Sequence, residues 1–322
     1  MEEQYMNCEP GDAEEQSSAF GPEDFERILE DEKQNESIAR RTTTYWKDVW
    51  HNFCQRKPAL VSLFLLAVIL FFVCFGPLMS GYDYKTNDYL NLNVGPNAEH
   101  WFGTDALGRD LWTRVWQGGR VSLFIALAAT IIPYAIGMTV GGISGYVGGK
   151  ADMAIMRTID VLMGIPSLIY MILLMMVLGS GNILTLIIAM SITGWMDSAR
   201  LTRGLVLQLK QQEYVIASQT LGVSTSKIIL RHLLPNTLGI IIVGMTMSIP
   251  SAIFYEAFLS FIGLGVTPPE PSWGQLIKSA AETFRYYPYQ FLIPCACISL
   301  SMLCFNLIGD GLRDALDPRL HG

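Results

Sequence analysis

The sequence has little histidine and lacks the common signatures of catalysis. Its histidines are His51, His100, His232 and His321, and no His-Glu-x-x-His pair is present, which excludes the usual helical zinc-protease site. A Gly-x-x-x-x-Gly-Lys-Ser/Thr phosphate loop is also missing. We therefore expect a chain that is not an enzyme, has no catalytic residues or metal ligands, and binds neither ATP nor another cofactor itself.

Charge is missing from five long stretches of the chain. No Asp, Glu, Lys or Arg occurs in residues 58–82, 121–149, 161–196, 232–255 and 286–309. With 51% hydrophobic residues and a mean hydropathy of +0.33, the chain is too apolar for an ordinary soluble domain. About 20 apolar residues cross a bilayer core, and Gly179-Ser-Gly-Asn182 divides the third stretch. We therefore predict an all-α polytopic membrane protein with six transmembrane helices, near 59–77, 121–147, 156–178, 183–201, 238–264 and 288–309.

Lys and Arg cluster before the first predicted span and after the fourth. The two groups are Arg40, Arg41, Lys47, Arg56 and Lys57, and Arg200, Arg203, Lys210, Lys227 and Arg231. Such clusters favour the cytoplasmic side of short loops. With an even number of spans, both termini are then cytoplasmic, and segments 78–120 and 265–287 lie outside.

The chain divides into five regions. Residues 1–36 hold thirteen acidic residues against two basic ones, which predicts an acidic, disordered cytoplasmic tail without the basic start of a secretory signal. A basic juxtamembrane segment covers 37–58. The first span and an outer amphipathic segment cover 59–120, the transmembrane core covers 121–310, and a cytoplasmic tail covers 311–322.

A polar segment with a glycine turn separates the fourth and fifth predicted spans. Glu213 to Gly222 predicts a helix that ends at the glycine, and Ser224 is a candidate N-cap for a second helix. Ala217, Ser218 and Gly222 are small, so a partner can approach this backbone closely. Glu213 lies at the helix start, where the dipole favours an anion.

Three larger residues complete the predicted surface of this segment. Tyr214, Val215 and Leu221 are candidate apolar anchors for a partner. An amphipathic hairpin on the membrane surface is an alternative interpretation, with Lys227 and Arg231 near anionic headgroups. A DNA-reading helix-turn-helix is disfavoured, because the chain re-enters the membrane soon after the loop; we expect no nucleic-acid partner.

The segment resembles the coupling loop of binding-protein-dependent ABC importer permeases. In that family Glu-x-x-x-Ala-Ala/Ser-x-x-x-Gly leads into Leu-Pro, and this chain has the same spacing from Glu213 to Gly222 and then Leu234-Pro235. Ile216 departs from the commonest form, in which an acidic residue often stands there. The resemblance implies docking into a groove on a cytoplasmic ATPase through Glu213, Tyr214, Ala217, Ser218, Gly222 and Pro235.

Two further segments resemble the oligopeptide/dipeptide permease family. Phe102 to Arg114 is similar to that family's Phe-Gly-Thr-Asp-x-x-Gly-Arg-Asp-x-x-x-Arg signature. Glu256 to Gly274 is similar to its Glu-Ala-x-Leu-Ser-Phe-Leu-Gly-Leu-Gly run with a later Pro-Ser-Trp-Gly. From the residues themselves we predict that Thr104 caps a short interfacial helix, with Trp112 and Trp116 at headgroup depth.

Three residues inside predicted spans are candidates for the pathway or its gate. Glu256 is a carboxyl near the outer end of the fifth span. It either lines the cavity or braces the outer gate, or else it reaches the headgroups or pairs with another helix. Gly141 and Gly145 belong to a glycine-rich face of the second span. We expect that face to pack against a helix rather than to contact substrate directly.

Together the resemblances imply a C-type permease subunit with the type I ABC importer fold in a prokaryotic cytoplasmic membrane. They further imply a heterodimer with a second permease, two cytoplasmic ABC ATPases that use ATP and Mg²⁺, and an extracellular or periplasmic peptide-binding protein. The expected substrates are oligopeptides or dipeptides. Nickel or antimicrobial-peptide transport within the family, and an ATP-independent channel or membrane scaffold outside it, are the alternatives.

Overall fold

Helices make up the regular structure of this computed structural model, which describes residues 45–179 and 181–316. The elements are α1 Tyr45–Gln55, α2 Lys57–Met79, α3 Leu111–Val147, α4 Gly149–Met163, α5 Ser167–Leu178, α6 Ile183–Leu209, α7 Glu213–Thr220, α8 Thr225–Ile228, α9 Leu234–Phe261, α10 Trp273–Ala281 and α11 Pro288–Leu316. No strand occurs in these ranges, only isolated bridges of Thr104 with Asp110 and of Gly181 with Val266. The expected all-α class is confirmed for them. The predicted acidic tail, 1–36, and positions 317–322 lie outside the described residues.

Four helices are long and apolar enough to cross a bilayer. They are Lys57–Met79, Leu111–Val147, the continuous helix Thr225–Phe261 that includes α8 and α9, and Pro288–Leu316. The count rises to five if the bent pair α4 and α5 is one span. Helix α6 carries Asp197, Arg200 and Arg203 and is not in this set. Helix length and composition therefore support a multi-pass protein with four or five spans. The predicted number of six spans is not confirmed.

The chain bends sharply inside the predicted span 156–178, and whether the bent pair crosses the membrane as one span stays a prediction. Helices α4 and α5 meet at an angle of 84° across the break at residues 164–166. Pro166 is the N-cap residue of α5, in an extended conformation with ψ 130°. A proline disfavours helical backbone at the residue before it, here Ile165, so α4 ends and a new helix begins.

A π turn marks the entry to α9. Residues Ile229–Leu233 form this turn, and Pro235 follows in the first turn of α9. Proline has no backbone N–H, and its ring would clash with the carbonyl four residues earlier. The wider π turn accommodates both effects, so the helix runs on from Thr225 to Phe261. The predicted second short helix is therefore the start of the span itself.

Helix α3 packs closely against α6, and glycines on α3 make this approach possible. A Cβ at Gly137 would lie 1.9 Å from Ser198 Oγ, one at Gly141 would lie 2.2 Å from Ala199 O, and one at Gly145 would lie 2.9 Å from Arg203 O. The glycines recur every four residues and so share one helix face. Small residues at this spacing let two backbones approach closely.

Large apolar side chains remain exposed around this core. Examples are Phe64 at 68% and Leu78 at 76% exposed on α2, and Val177 at 82% on α5. Soluble monomers rarely expose large apolar patches. Exposure of this kind suits a protein surrounded by lipid and by membrane-embedded partners.

Candidate functional site

Helix α7 ends in a hydrogen-bonded glycine turn. The N–H of Val223 donates to the carbonyl of Ser218 at 3.1 Å, and the N–H of Gly222 donates to that of Gln219 at 3.0 Å. Gly222 has φ +73°. These two bonds with a left-handed glycine define a Schellman motif, so the predicted helix stop at Gly222 is confirmed.

One face of α7 is buried against the protein. Val215 is fully buried in a cluster with Tyr146, Val206, Ile228 and Leu233, which come from α3, α6, α8 and the π turn. The prediction that Val215 is an anchor for a partner is therefore wrong. It packs α7 against these four neighbouring elements instead, and such tertiary packing stabilises a helix that is too short to be stable alone.

The opposite face of α7 is open. Tyr214 is 41% exposed, Ile216 50% and Leu221 82%. A shallow groove of about 480 Å³ is lined by Glu213, Ile216, Ala217, Thr220 and Leu221. An exposed apolar groove with one carboxylate at its edge is suited to contact with another protein.

Polar contacts hold α7 in a fixed position relative to its neighbours. Asn236 Nδ2 donates to Tyr214 Oη at 3.1 Å, which links α7 to α9 next to Pro235. Gln219 Nε2 donates to Tyr146 Oη at 3.3 Å. Lys210, the C-cap residue of α6, donates from Nζ to the carbonyl of the same tyrosine at 2.5 Å, which joins α6 to α3 beneath α7. These polar contacts were not predicted, because the local sequence around a polar residue does not indicate which distant group it contacts.

The six predicted coupling residues thus fall into one continuous region. Five lie on α7 or its turn, and Pro235 lies in the first turn of α9 beside the residue that binds Tyr214. Ser218 Oγ donates to the Tyr214 carbonyl at 2.8 Å. Ser224 is at the N-cap position of α8, but its side chain forms no capping bond, so that predicted hydrogen bond is wrong.

The α2–α3 connection, residues 80–110, carries the first permease-like signature and is fixed by hydrogen bonds. Thr104 Oγ1 donates to Asn91 O at 2.6 Å and accepts from Val94 N at 2.8 Å. Asp105 accepts from the backbone and side chain of Arg109 at 3.0 and 2.8 Å. Thr104 is thus a loop anchor and not a helix cap, contrary to the prediction.

Asp110, and not Thr104, caps α3. Its carboxylate accepts from the backbone N–H and the hydroxyl of Thr113 at 2.9 and 2.6 Å, and His100 Nδ1 lies 2.9 Å from its other oxygen. The helix then continues to Val147 without interruption. No separate interfacial helix exists here, since the local pattern from residue 111 onward belongs to the long span.

The two tryptophans that follow are buried and do not lie on an exposed surface. Trp112 and Trp116 are 9% and 7% exposed. Trp112 Nε1 donates to Gly76 O at 2.8 Å, and Phe72 stacks on Trp116 at 5.0 Å between ring centroids. These rings join α2 to α3 and do not form the exposed face of an interfacial helix; their headgroup depth in the membrane stays a prediction.

Arg114 and Asp88 stabilise the same connection from two sides. Arg114 is fully buried; it donates to Tyr84 O at 2.9 Å and to Gln275 Oε1 at 3.3 Å, which joins the connection to α10. Asp88 accepts from Asn91 Nδ2 at 2.8 Å and from Leu90 N at 3.0 Å. These hydrogen bonds, that from Asn91 most strongly, lower the pKa of Asp88 below its ordinary value.

Glu256 lies in the second permease-like signature and is fully buried inside this chain. Ser260 Oγ donates to its Oε1 at 2.9 Å and accepts from Val266 N at 3.2 Å. Ser122 and Ser272 lie beside the same carboxyl. Trp273, also fully buried, donates from Nε1 to Val115 O at 2.9 Å. The signature therefore joins α9, α10 and α3.

The three predicted pathway or gate residues are thus all buried contacts within the chain. Glu256 contacts hydroxyls, and Gly141 and Gly145 lie against the backbone of α6. This placement agrees with the packing interpretation of the glycines. A direct role of these residues in a pathway stays a prediction. In the described part of the chain, no three His, Cys, Asp or Glu side chains group as metal ligands.

Known proteins resemble this chain over nearly its whole length. Residues 137–322 match a family described as binding-protein-dependent transport system inner membrane component, and residues 44–96 match the N-terminal TM domain of oligopeptide transport permease C. The oligopeptide transport system permease protein OppC of Bacillus subtilis is 47% identical over 92% of this chain and 97% of its own length. The dipeptide transport system permease protein DppC of Bacillus subtilis is 44% identical over 91% and 92%. The Escherichia coli K12 oligopeptide permease protein OppC is 40% identical over 89% and 96%.

Proposed function

The chain belongs to the oligopeptide and dipeptide permease family of binding-protein-dependent transport systems, and from this we infer that it is a membrane permease subunit of an ABC peptide importer. Its long apolar helices agree with a multi-pass membrane protein. The sequence holds no phosphate loop that would bind ATP. ATP and Mg²⁺ are therefore used by partner ATPases, and the permease receives their movement.

The exposed groove on α7 is the observation that carries this mechanism. The helix is short and ends in a hydrogen-bonded turn. Its buried residue Val215 and its residue Gln219 both contact Tyr146 of α3 or that residue's cluster. A partner that moves α7 also moves α3 and α9, because Tyr146 of α3 and Asn236 of α9 form hydrogen bonds with α7. Closure of the two ATPases would thus switch the transport cavity of the permease pair from access on the inner side of the membrane to access on the outer side.

The complete assembly extends this proposal. We place six spans in the membrane, with α6 as the sixth in spite of its charges, and both termini in the cytoplasm, as the Lys and Arg distribution indicates. A similar but distinct permease pairs with this chain. Two cytoplasmic ABC ATPases dock below, and an extracellular or periplasmic binding protein delivers the peptide.

Co-purification tests the assembly. The C-terminus is tagged, native membranes are extracted in mild detergent, and the bound proteins are identified by mass spectrometry. We expect a second permease, two ATP-binding proteins and a peptide-binding protein. Recovery of the chain alone, with crosslinking in intact membranes also negative, would favour a channel or scaffold that works without ATP.

A further inference from the structure

A polar cleft of about 230 Å³ lies among α3, α5, α6 and α9. Its lining is partly apolar, and its polar residues include Thr130, Ser167, Asp197, Ser248, Ser251 and Tyr255. Two of the four helices, α3 and α9, belong to the candidate spans, and a third, α5, belongs to the bent pair. The cleft is therefore a polar space within the apolar part of the protein.

Hydroxyl groups supply most of the polarity of this cleft. Thr130 donates to Ala126 O at 2.8 Å and Ser248 donates to Met245 O at 2.9 Å, so each of these hydroxyls gives its proton to its own helix. The oxygen of such a hydroxyl still has lone pairs that accept hydrogen bonds. The hydroxyl oxygens Tyr255 Oη and Ser167 Oγ, which belong to α9 and α5, lie 3.4 Å apart. The lining thus offers acceptors from several helices.

Asp197 is the charged residue in this lining, and it is an exposed residue. The basic residues that follow it on α6 are engaged elsewhere. Arg200 contacts Asp160 at 2.5 Å, and Arg203 forms two bonds to Asp152 at 2.5 and 2.6 Å. Within the described ranges no side chain forms a hydrogen bond or ion pair with Asp197. In the proposed arrangement α6 is a membrane span, and a carboxylate there without a partner in its own chain points to a ligand.

We propose that this cleft lines the solute path and that Asp197 binds a primary ammonium group of the transported peptide. The inference rests on the proposed function and names the part of the peptide that contacts this subunit. An ammonium group has three donors, which suit one carboxylate together with neighbouring hydroxyl oxygens. The cleft is smaller than the roughly 300–1,000 Å³ of pockets for drug-sized ligands, so it holds one end or one side chain of a peptide.

The charge of the cleft is tested first, independently of transport. Ser251 lines the cleft and is exposed, so the Ser251→Cys variant supplies a thiol there. Cationic and anionic water-soluble thiosulfonate reagents are applied to the whole complex in membranes, with the chain lacking the added thiol as background. We expect the cationic reagent to react faster, and we expect Asp197→Asn to lower the cationic-to-anionic rate ratio at least fivefold. An unchanged ratio would overturn the assignment of Asp197 to this cleft.

Transport by the complete complex tests the ligand. Uptake of trialanine, of N-acetyl-trialanine and of an N-acetylated peptide with one lysine is measured at saturating binding protein. We expect Asp197→Asn to lower uptake of trialanine at least tenfold, the scale of one lost charged hydrogen bond, and Asp197→Glu to retain it within about threefold. If the lysine peptide alone shows the loss, the bound ammonium is the side chain; if trialanine shows it, the ammonium is the α-amino group.

A failed role of Asp197 and a failed peptide transport function give different experimental results. Equal uptake by the unaltered chain and by Asp197→Asn, for every ammonium-bearing peptide, would overturn the role of Asp197 while peptide transport stands. No peptide uptake by the unaltered complex would overturn the proposed function and this inference with it. ATP hydrolysis stimulated by the loaded binding protein is recorded in parallel. A normal stimulation in Asp197→Asn shows that the variant is folded and assembled.

Discussion

Replacement of Gly222 by tryptophan tests whether the open face of α7 contacts a partner. A Cβ built at Gly222 meets no atom within 4 Å, so the added indole does not clash inside this chain. Gly222 has φ +73°, however, and any side chain in the left-handed region costs roughly 1–2 kcal/mol. Gly222→Ala carries the same backbone cost without the bulk and is the matched control.

The expected stability effects of the two variants are therefore alike. A loss of about 1–2 kcal/mol in stability lowers the thermal unfolding midpoint of a chain of this length by a few degrees. Val215 and Tyr146 keep their contacts in both variants, so α7 stays in place. We expect Gly222→Ala and Gly222→Trp to insert equally and to melt within about 2 °C of each other in detergent.

Their transport should differ. In liposomes that contain the complete complex, we expect Gly222→Trp to lower ATP-driven peptide uptake more than tenfold, the equivalent of about 1.4 kcal/mol or more in docking. Gly222→Ala should retain uptake within about threefold. Normal uptake by Gly222→Trp would refute docking at this face, and an equal loss in both variants would assign the defect to the strained turn instead.

Three further variants test the contacts that support the site. Gly108→Ala should lower the thermal midpoint more than Gly222→Ala does: both glycines have φ +73°, but a Cβ at Gly108 would lie 1.7 Å from Asp88 O; equal midpoints would contradict the close approach. Arg203→Lys should remove the two-bond contact with Asp152, and a double-mutant cycle with Asp152→Asn should give a coupling of about 1 kcal/mol; a coupling of zero would contradict the contact. Trp273→Ala should destabilise by about 3–5 kcal/mol, since the ring is fully buried, with Trp273→Phe much milder; a change below 1 kcal/mol would show that the site collapses without cost.

The long helices could be predicted because the absence of charge over about 20 residues follows directly from what a bilayer requires. A charge-free stretch is what a bilayer requires, and α2, α3, α9 and α11 overlap the predicted spans. Pro166 lies inside an apolar run, where a proline can either kink a helix or end it, so the sequence leaves the size of the bend open. Only the packing of α4 and α5 against the rest of the chain decides between those outcomes.

At the candidate site, the turn was predictable and the inner contacts were not. Gly222 stops α7 for a local reason, since glycine adopts the left-handed conformation at low cost. Val215 was assigned to the wrong face because an eight-residue helix has too few positions to show which face is buried. Asn236, Gln219 and Tyr146 were not identified because their hydrogen bonds join segments far apart in sequence.

The most direct test of the account measures peptide uptake by the assembled transporter. The complex is purified through a tag on this chain, reconstituted into liposomes, and supplied with labelled peptide and its binding protein on one side and MgATP on the other. We predict accumulation above the external concentration that requires ATP hydrolysis. Uptake that only equilibrates the peptide, at the same rate with or without ATP, would contradict the account and identify a passive channel.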